Sequence, residues 1–201
     1  MTFDDLITLT RNSFRDPDLA VRQLQSLDLP MSARWMALVL AVALSSFLAV
    51  LAALLFPVAV QPVIAVLSRD PFVLAAVQMA GMALAAWLIA VIGGSFGGRG
   101  DFADSLLVVV WIELLLSAVQ FVQVIVMPLF PLIASLLGVA GAIAFVWLAV
   151  HLIKALHGFQ SALLVLFGMV GGVMMTAVFL SVLAASLGLL PQLPPEVMNG
   201  L

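Results

Sequence analysis

The chain has 201 residues, of which 65% are hydrophobic and 8% charged, with a net charge of -3 and a mean hydropathy of +1.31. A soluble domain carries roughly 25% charged and 45–50% apolar residues, so this apolar excess is more than one globular core can hide, and lipid is the natural surround. The sparse, slightly acidic charge excludes a nucleic-acid footprint, and the absence of cysteine excludes disulfides, thiolate metal sites and cysteine nucleophiles.

Residues 1–32 form a cytoplasmic amphipathic segment and not a cleavable signal peptide. They hold Asp4, Asp5, Asp16, Asp18 and Asp28 and lack a continuous apolar core, so the first hydrophobic span is expected to act as an uncleaved anchor. Within 3–14, Phe3, Leu6, Ile7 and Phe14 share one helical face. Asp16-Pro17 reads as an N-cap followed by proline at the first helical position, opening a second short helix to about Leu27. Its apolar face is Ala20, Val21, Leu24 and Leu27, opposite Arg22 and Gln23, and Leu29-Pro30 ends it. Two placements are open: flat on an anionic lipid surface through Arg11, Arg15 and Arg22, or packed against the ends of the spans.

Residues 33–190 divide into five apolar spans, about 35–56, 72–92, 105–127, 132–153 and 161–190, each exceeding the ~20 residues that cross ~30 Å of hydrocarbon. Pro57 and Pro62 close the first, Arg69-Asp70-Pro71 opens the second, and Pro128 and Pro131 make an uncharged reversal between the third and fourth. Nothing alternates as barrel strands do. The fold class is therefore all-α integral membrane, a five-helix transmembrane bundle preceded by one or two short amphipathic N-terminal helices. With the N-terminus cytoplasmic, that side holds Arg11, Arg15, Arg22, Arg34, Arg99 and Lys154, against Arg69 alone on the far side. This asymmetry predicts an N-in, C-out topology, with the tail 191–201 outside.

Glu113 lies inside the third span, with Ser117 and Gln120 at i+4 and i+7, so the three make a polar stripe on one helix. An intramembrane acid is either part of a hydrogen-bonded knot, reaching Gln78 or Lys154, or a proton or cation site. His151, Lys154 and His157 cluster at the end of the fourth span. The two histidines face different sides, so contact with a partner or lipid headgroup is expected there and no metal site. Gly93–Gly100 lacks the strand and the Gly-Lys-Ser/Thr of a phosphate loop and reads as a flexible turn. Gly168 and Gly172 form a small-residue stripe in the fifth span, and Gly138 and Ala142 one in the fourth; they pack the two spans together or form a homodimer seam.

FRDPDLAVRQL before the first span, GGRGDFADSLLVVVW leading into the third, and VWLAVHLIKALHGFQSALLVLF (Val146 to Phe167) between the fourth and fifth resemble a bacterial member of the Yip family, the Ypt/Rab-interacting protein domain. The resemblance covers nearly the whole chain. It implies a non-enzymatic membrane protein that organises membranes or binds partners. The Asp-Leu-x-Gly-Pro element of the eukaryotic trafficking members is missing here, so Rab binding does not carry over. The expected partners are the lipid bilayer and a protein, or a second copy of the chain, and no nucleic acid or cofactor; the expected location is a bacterial inner membrane. The alternative is a small transporter or channel with a polar path of Glu113, Ser117, Gln120 and Gln78. No zinc-protease, nucleophile-elbow or paired-carboxylate motif supports an enzyme.

Overall fold

The computed structural model describes residues 2–56 and 70–186. Pro57, Pro62, Arg69 and the tail 191–201 lie outside the described residues. Seven helices follow one another: α1 (Phe3–Arg15), α2 (Pro17–Gln25), α3 (Met31–Leu55), α4 (Pro71–Ser95), α5 (Phe102–Val126), α6 (Pro131–His157) and α7 (Ala162–Ser186). No strand occurs among the described residues. Five of the helices, α3 to α7, are long and apolar enough to cross a membrane. At 1.5 Å per residue a 25-residue helix such as α5 is about 37 Å long, which leaves a little more than one turn beyond a ~30 Å hydrocarbon layer.

Local chemistry sets the helix ends. Thr2 and Asp5 form a capping box on α1, with the Asp5 carboxylate accepting from the Thr2 backbone N–H at 2.6 Å. That hydrogen bond holds the Asp5 carboxyl below its usual range. Asp16, Asp70 and Asp101 cap α2, α4 and α5 by accepting from backbone N–H groups of the first turn. Pro17, Pro71 and Pro131 stand in first turns, where a missing N–H costs nothing. Gly158 ends α6 at φ 71°, a conformation that favours glycine.

The third span, α5, is the centre of the bundle. It packs against α3, α4 and α6 and buries Ser105, Leu106, Leu107, Val108, Val110, Trp111, Ile112 and Ser117. Helix α7 is the most peripheral span. Its residues 163–179 bury only Val165 and Gly172.

The N-terminal helices take the second of their two placements. Ala20, Val21 and Leu24 of α2 and Leu9 of α1 join Leu148, Leu152 and Leu156 of α6 and Leu107 and Trp111 of α5 in one buried cluster. The Trp111 indole N–H donates to Ser13 Oγ at 2.8 Å, and Ser13 is fully buried. Phe14 stacks on Trp147 at 5.7 Å. Helix α1 keeps an outward apolar strip of Phe3, Ile7 and Phe14. The first span is tied in by Arg34, which donates to Asp104 at 2.7 Å and to the Leu29 carbonyl at 2.9 Å. The other Asp104 oxygen accepts from Gln25 at 2.7 Å.

Asp104 thus joins α2 and α3 to the start of α5. Its replacement by Asn removes the charge that neutralises a buried guanidinium. Asp104→Asn is expected to lower stability by roughly 1–3 kcal/mol and to expose the 17–30 segment to protease in detergent solution. Unchanged cleavage there would show that the network does not hold the N-terminal helices.

Candidate functional site

Three spans meet at the Gln78 side chain. Its amide nitrogen donates to Ser45 Oγ at 2.8 Å and to Glu113 Oε1 at 3.1 Å, and its amide oxygen accepts from Ser46 at 2.7 Å. One primary amide therefore links α3, α4 and α5, using both N–H groups and its carbonyl. Glu113 lies about 16 Å along α5 from Phe102, close to mid-membrane depth for a helix of that length.

No cation among the described residues pairs with the carboxylate. The one ion pair among the described residues is Arg34–Asp104. Lys154 is half-buried three residues from the end of α6 and makes no ion pair there. In this structure the partner of Glu113 is thus Gln78 and not Lys154. The second carboxylate oxygen has no donor among the described residues. An uncompensated carboxylate at this depth costs several kcal/mol.

The remaining members of the stripe are not drawn into this cluster. Ser117 is 1% exposed, and its Oγ has no hydrogen-bond partner. Gln120 is half-buried and makes no hydrogen bond among the described residues. The Ser45–Ser46 pair is the part that sequence reasoning missed. They are the two adjacent hydroxyls inside an otherwise apolar first span, and that isolation was the available signal.

Beside Glu113 opens a cavity of about 340 Å³ between α4, α5, α6 and α7. Met82, Ile89, Val109, Phe145, Val165 and Gly168 are among its walls, and Glu113 is the one polar side chain that lines it. Gly168 and Gly172 both face this space. Gly172 sits against Ile92 of α4, where an added Cβ would come within 2.9 Å of Cδ1. A Cβ on Gly168 would meet nothing within 4 Å. Gly138 of α6 accommodates Gln123 of α5.

A second constellation occupies the end of the bundle that carries α1 and α2. His157 closes α6 as a residue only 2% exposed, with Nδ1 donating to the Ile153 carbonyl at 3.2 Å and Phe159 stacked at 5.3 Å. Its Nε2 is buried without a partner. The ring is seated among Gly93, Gly98 and Gly100. A Cβ on either of the first two would overlap the imidazole, and one on Gly100 would come within 2.7 Å of Leu156. The glycine stretch is a socket for His157, and the Arg99 N–H bonds the His157 carbonyl at 3.4 Å.

His151 has a different setting. It stacks on Trp147 at 4.2 Å and donates from Nδ1 to the Trp147 carbonyl at 2.8 Å. With Trp147 it lines a shallow groove between α6 and α7. Among the described residues, no three His, Cys, Asp or Glu side chains gather as a metal ion needs.

The fold is that of a multi-pass helical membrane protein, a bundle of apolar spans with a short amphipathic N-terminal layer packed on one end. The Yip1 domain model matches residues 11–184, from the middle of α1 to the last turn of α7. The chain belongs to the Yip1 domain family. Comparison with curated proteins and with solved structures gives no match.

Two tests address the site. Gln78→Leu removes three interhelical hydrogen bonds and is expected to cost roughly 2–4 kcal/mol, read as a lower unfolding midpoint in mild detergent. Glu113→Gln keeps an oxygen for Gln78 and is expected to stay within about 1 kcal/mol of the parent. Equal effects of the two would contradict the placement of Gln78 at the hub. For the socket, Gly93→Ala is expected to destabilise by about 1–3 kcal/mol through overpacking, and much of that loss should vanish in a His157→Ala background. Strict additivity of the pair would sink the socket assignment.

Proposed function

We propose that the chain is a non-catalytic membrane organiser or adaptor that binds membrane or cytoplasmic partners at the end of the bundle bearing α1 and α2. The carrying observation is that three separate polar stretches are assembled into one surface there. These are the N-terminal helices, the 93–104 loop and the turn after His157. Asp104 joins the first two, and the glycine socket joins the second to the third. Arg11, Arg15, Arg22 and Arg99 are exposed on these same stretches and form no ion pair among the described residues. A surface preorganised in this way binds without first being ordered, which lowers the entropy cost of docking.

The six-to-one distribution of basic residues supports placing this end in the cytoplasm, with the C-terminus on the far side. A bacterial inner membrane is the location that goes with this reading. The alternative of a small transporter or channel around Glu113 has less support. Gln78 is fully engaged by Ser45, Ser46 and Glu113, and the space beyond Glu113 has otherwise apolar walls that offer a hydrated ion no ligands.

Crosslinking in native membranes followed by mass spectrometry tests the proposal. Lysine is scarce, so photoreactive residues placed at Arg11, Arg22 and Arg99 would report neighbours directly. Reproducible protein or lipid adducts at these three sites, reduced by Asp104→Asn, are expected. Adducts indistinguishable from those of a probe on the far ends of the spans would overturn it.

A further inference from the structure

We propose that the cavity between α4, α5, α6 and α7 is a binding site for a compact apolar amine, with Glu113 as the group that receives its nitrogen. This does not depend on the adaptor reading, because the cavity and the docking surface share no polar residue.

A single carboxylate faces the cavity, and only one of its oxygens is engaged, by a neutral amide. A carboxylate is an acceptor only, and the groups that complete it best are N–H donors that carry positive charge. No side chain among the described residues supplies one. Lys154 lies near the end of α6, and Arg34 is committed to Asp104 and to the Leu29 carbonyl. The missing donor is therefore not among the described residues, and the proposal takes it from a bound ligand. All the other lining side chains are apolar, so the remainder of the ligand must be apolar too.

The polarity of the site excludes an ordinary phospholipid. Gln78, and with it Glu113, lies near the Gly81–Met82 end of the cavity, whereas Gly93, Phe96 and Phe159 lie at the opposite end, next to the amphipathic layer. A phospholipid keeps its headgroup at the interface and would press methylenes onto the carboxylate. A small amine with a hydrocarbon body can enter tail-outward and place its nitrogen at Glu113. The wall facing lipid is thinly packed. Residues 163–179 of α7 bury only Val165 and Gly172, and nothing lies within 4 Å of a Cβ placed on Gly168. Closing the site would consist of seating α7 over the bound molecule.

The test uses the full chain in nanodiscs of zwitterionic lipid and two photoprobes with the same diazirine-bearing dodecyl tail, one a primary amine and one an alcohol. Labelled residues are mapped by mass spectrometry. The amine is expected to label the cavity walls on α4 and α7 at least about tenfold more efficiently than the alcohol, the difference between a charge-assisted and an ordinary hydrogen bond. Glu113→Gln is expected to bring the amine down to the alcohol's level with the fold retained. Gly168→Phe fills the cavity from the opposite wall without touching Glu113 or Gln78, and is expected to abolish cavity labelling by both probes. The proposal is overturned if the amine labels parent and Glu113→Gln alike, if Gly168→Phe leaves labelling unchanged, or if lipid-facing residues of α3 and α6 are labelled as strongly as the cavity.

Discussion

A helix surrounded by lipid gains little by burying leucine, because the acyl chains it leaves are as apolar as the neighbour it meets. Close packing and polar closure must therefore supply specificity, and in this bundle the closure falls on one amide. Gln78 holds Ser45 and Ser46 of α3 on one side and Glu113 of α5 on the other. The apolar faces of α3, α4 and α5 are nearly uniform, and few of their contacts would penalise a slip of one helical turn. Such a slip moves a side chain about 5.4 Å along the axis, enough to break all three hydrogen bonds at once. Register among α3, α4 and α5 is fixed by that amide, with the Arg34–Asp104 pair as a second tie between α3 and α5.

The parts of the fold legible in the sequence are those that local rules decide. Span number and type follow from apolar runs that only helices can satisfy in lipid. Helix starts at Asp16 and Asp70 are legible because an aspartate accepting from first-turn N–H groups needs no tertiary partner, whereas the third span starts at Phe102, capped by Asp101, three residues before the expected 105. Harder to read are features that depend on which spans are neighbours. The pairing of Gln78 with Ser45 and Ser46 crosses 33 and 32 positions of sequence, and serines in apolar helices usually bond their own preceding turn. Gly93–Gly100 illustrates the same limit. A glycine-rich loop reads as a turn from composition, and only the arrival of His157 from another helix shows why side chains are excluded there. Gly172 likewise presents its bare face to Ile92 of α4, whereas a fourth-to-fifth span contact is what adjacency in sequence suggests.

The amphipathic layer carries two kinds of surface on one short helix. Leu9 and Ser13 of α1 face the bundle, while Phe3, Ile7 and Phe14 face outward. Ser13 accepts from the Trp111 indole of α5, so one face of α1 is held by the bundle. Helix α1 thus has one face packed on the bundle and an apolar strip left exposed.

The glycine socket carries a consequence for biosynthesis. The 93–100 loop closes around a side chain at the end of α6, and α2 packs on Leu148, Leu152 and Leu156 of that same helix. At about 5–20 residues per second, the interval between synthesis of Leu24 and of Leu156 is on the order of ten seconds. During that time the first-made helices and the loop have no finished surface to settle on. The polar end of the protein is thus completed only once α6 has been made, although its first two helices are translated at the start. A ribosome stalled before His157 would carry a chain that still lacks α7 and whose 93–100 loop has no imidazole to close around.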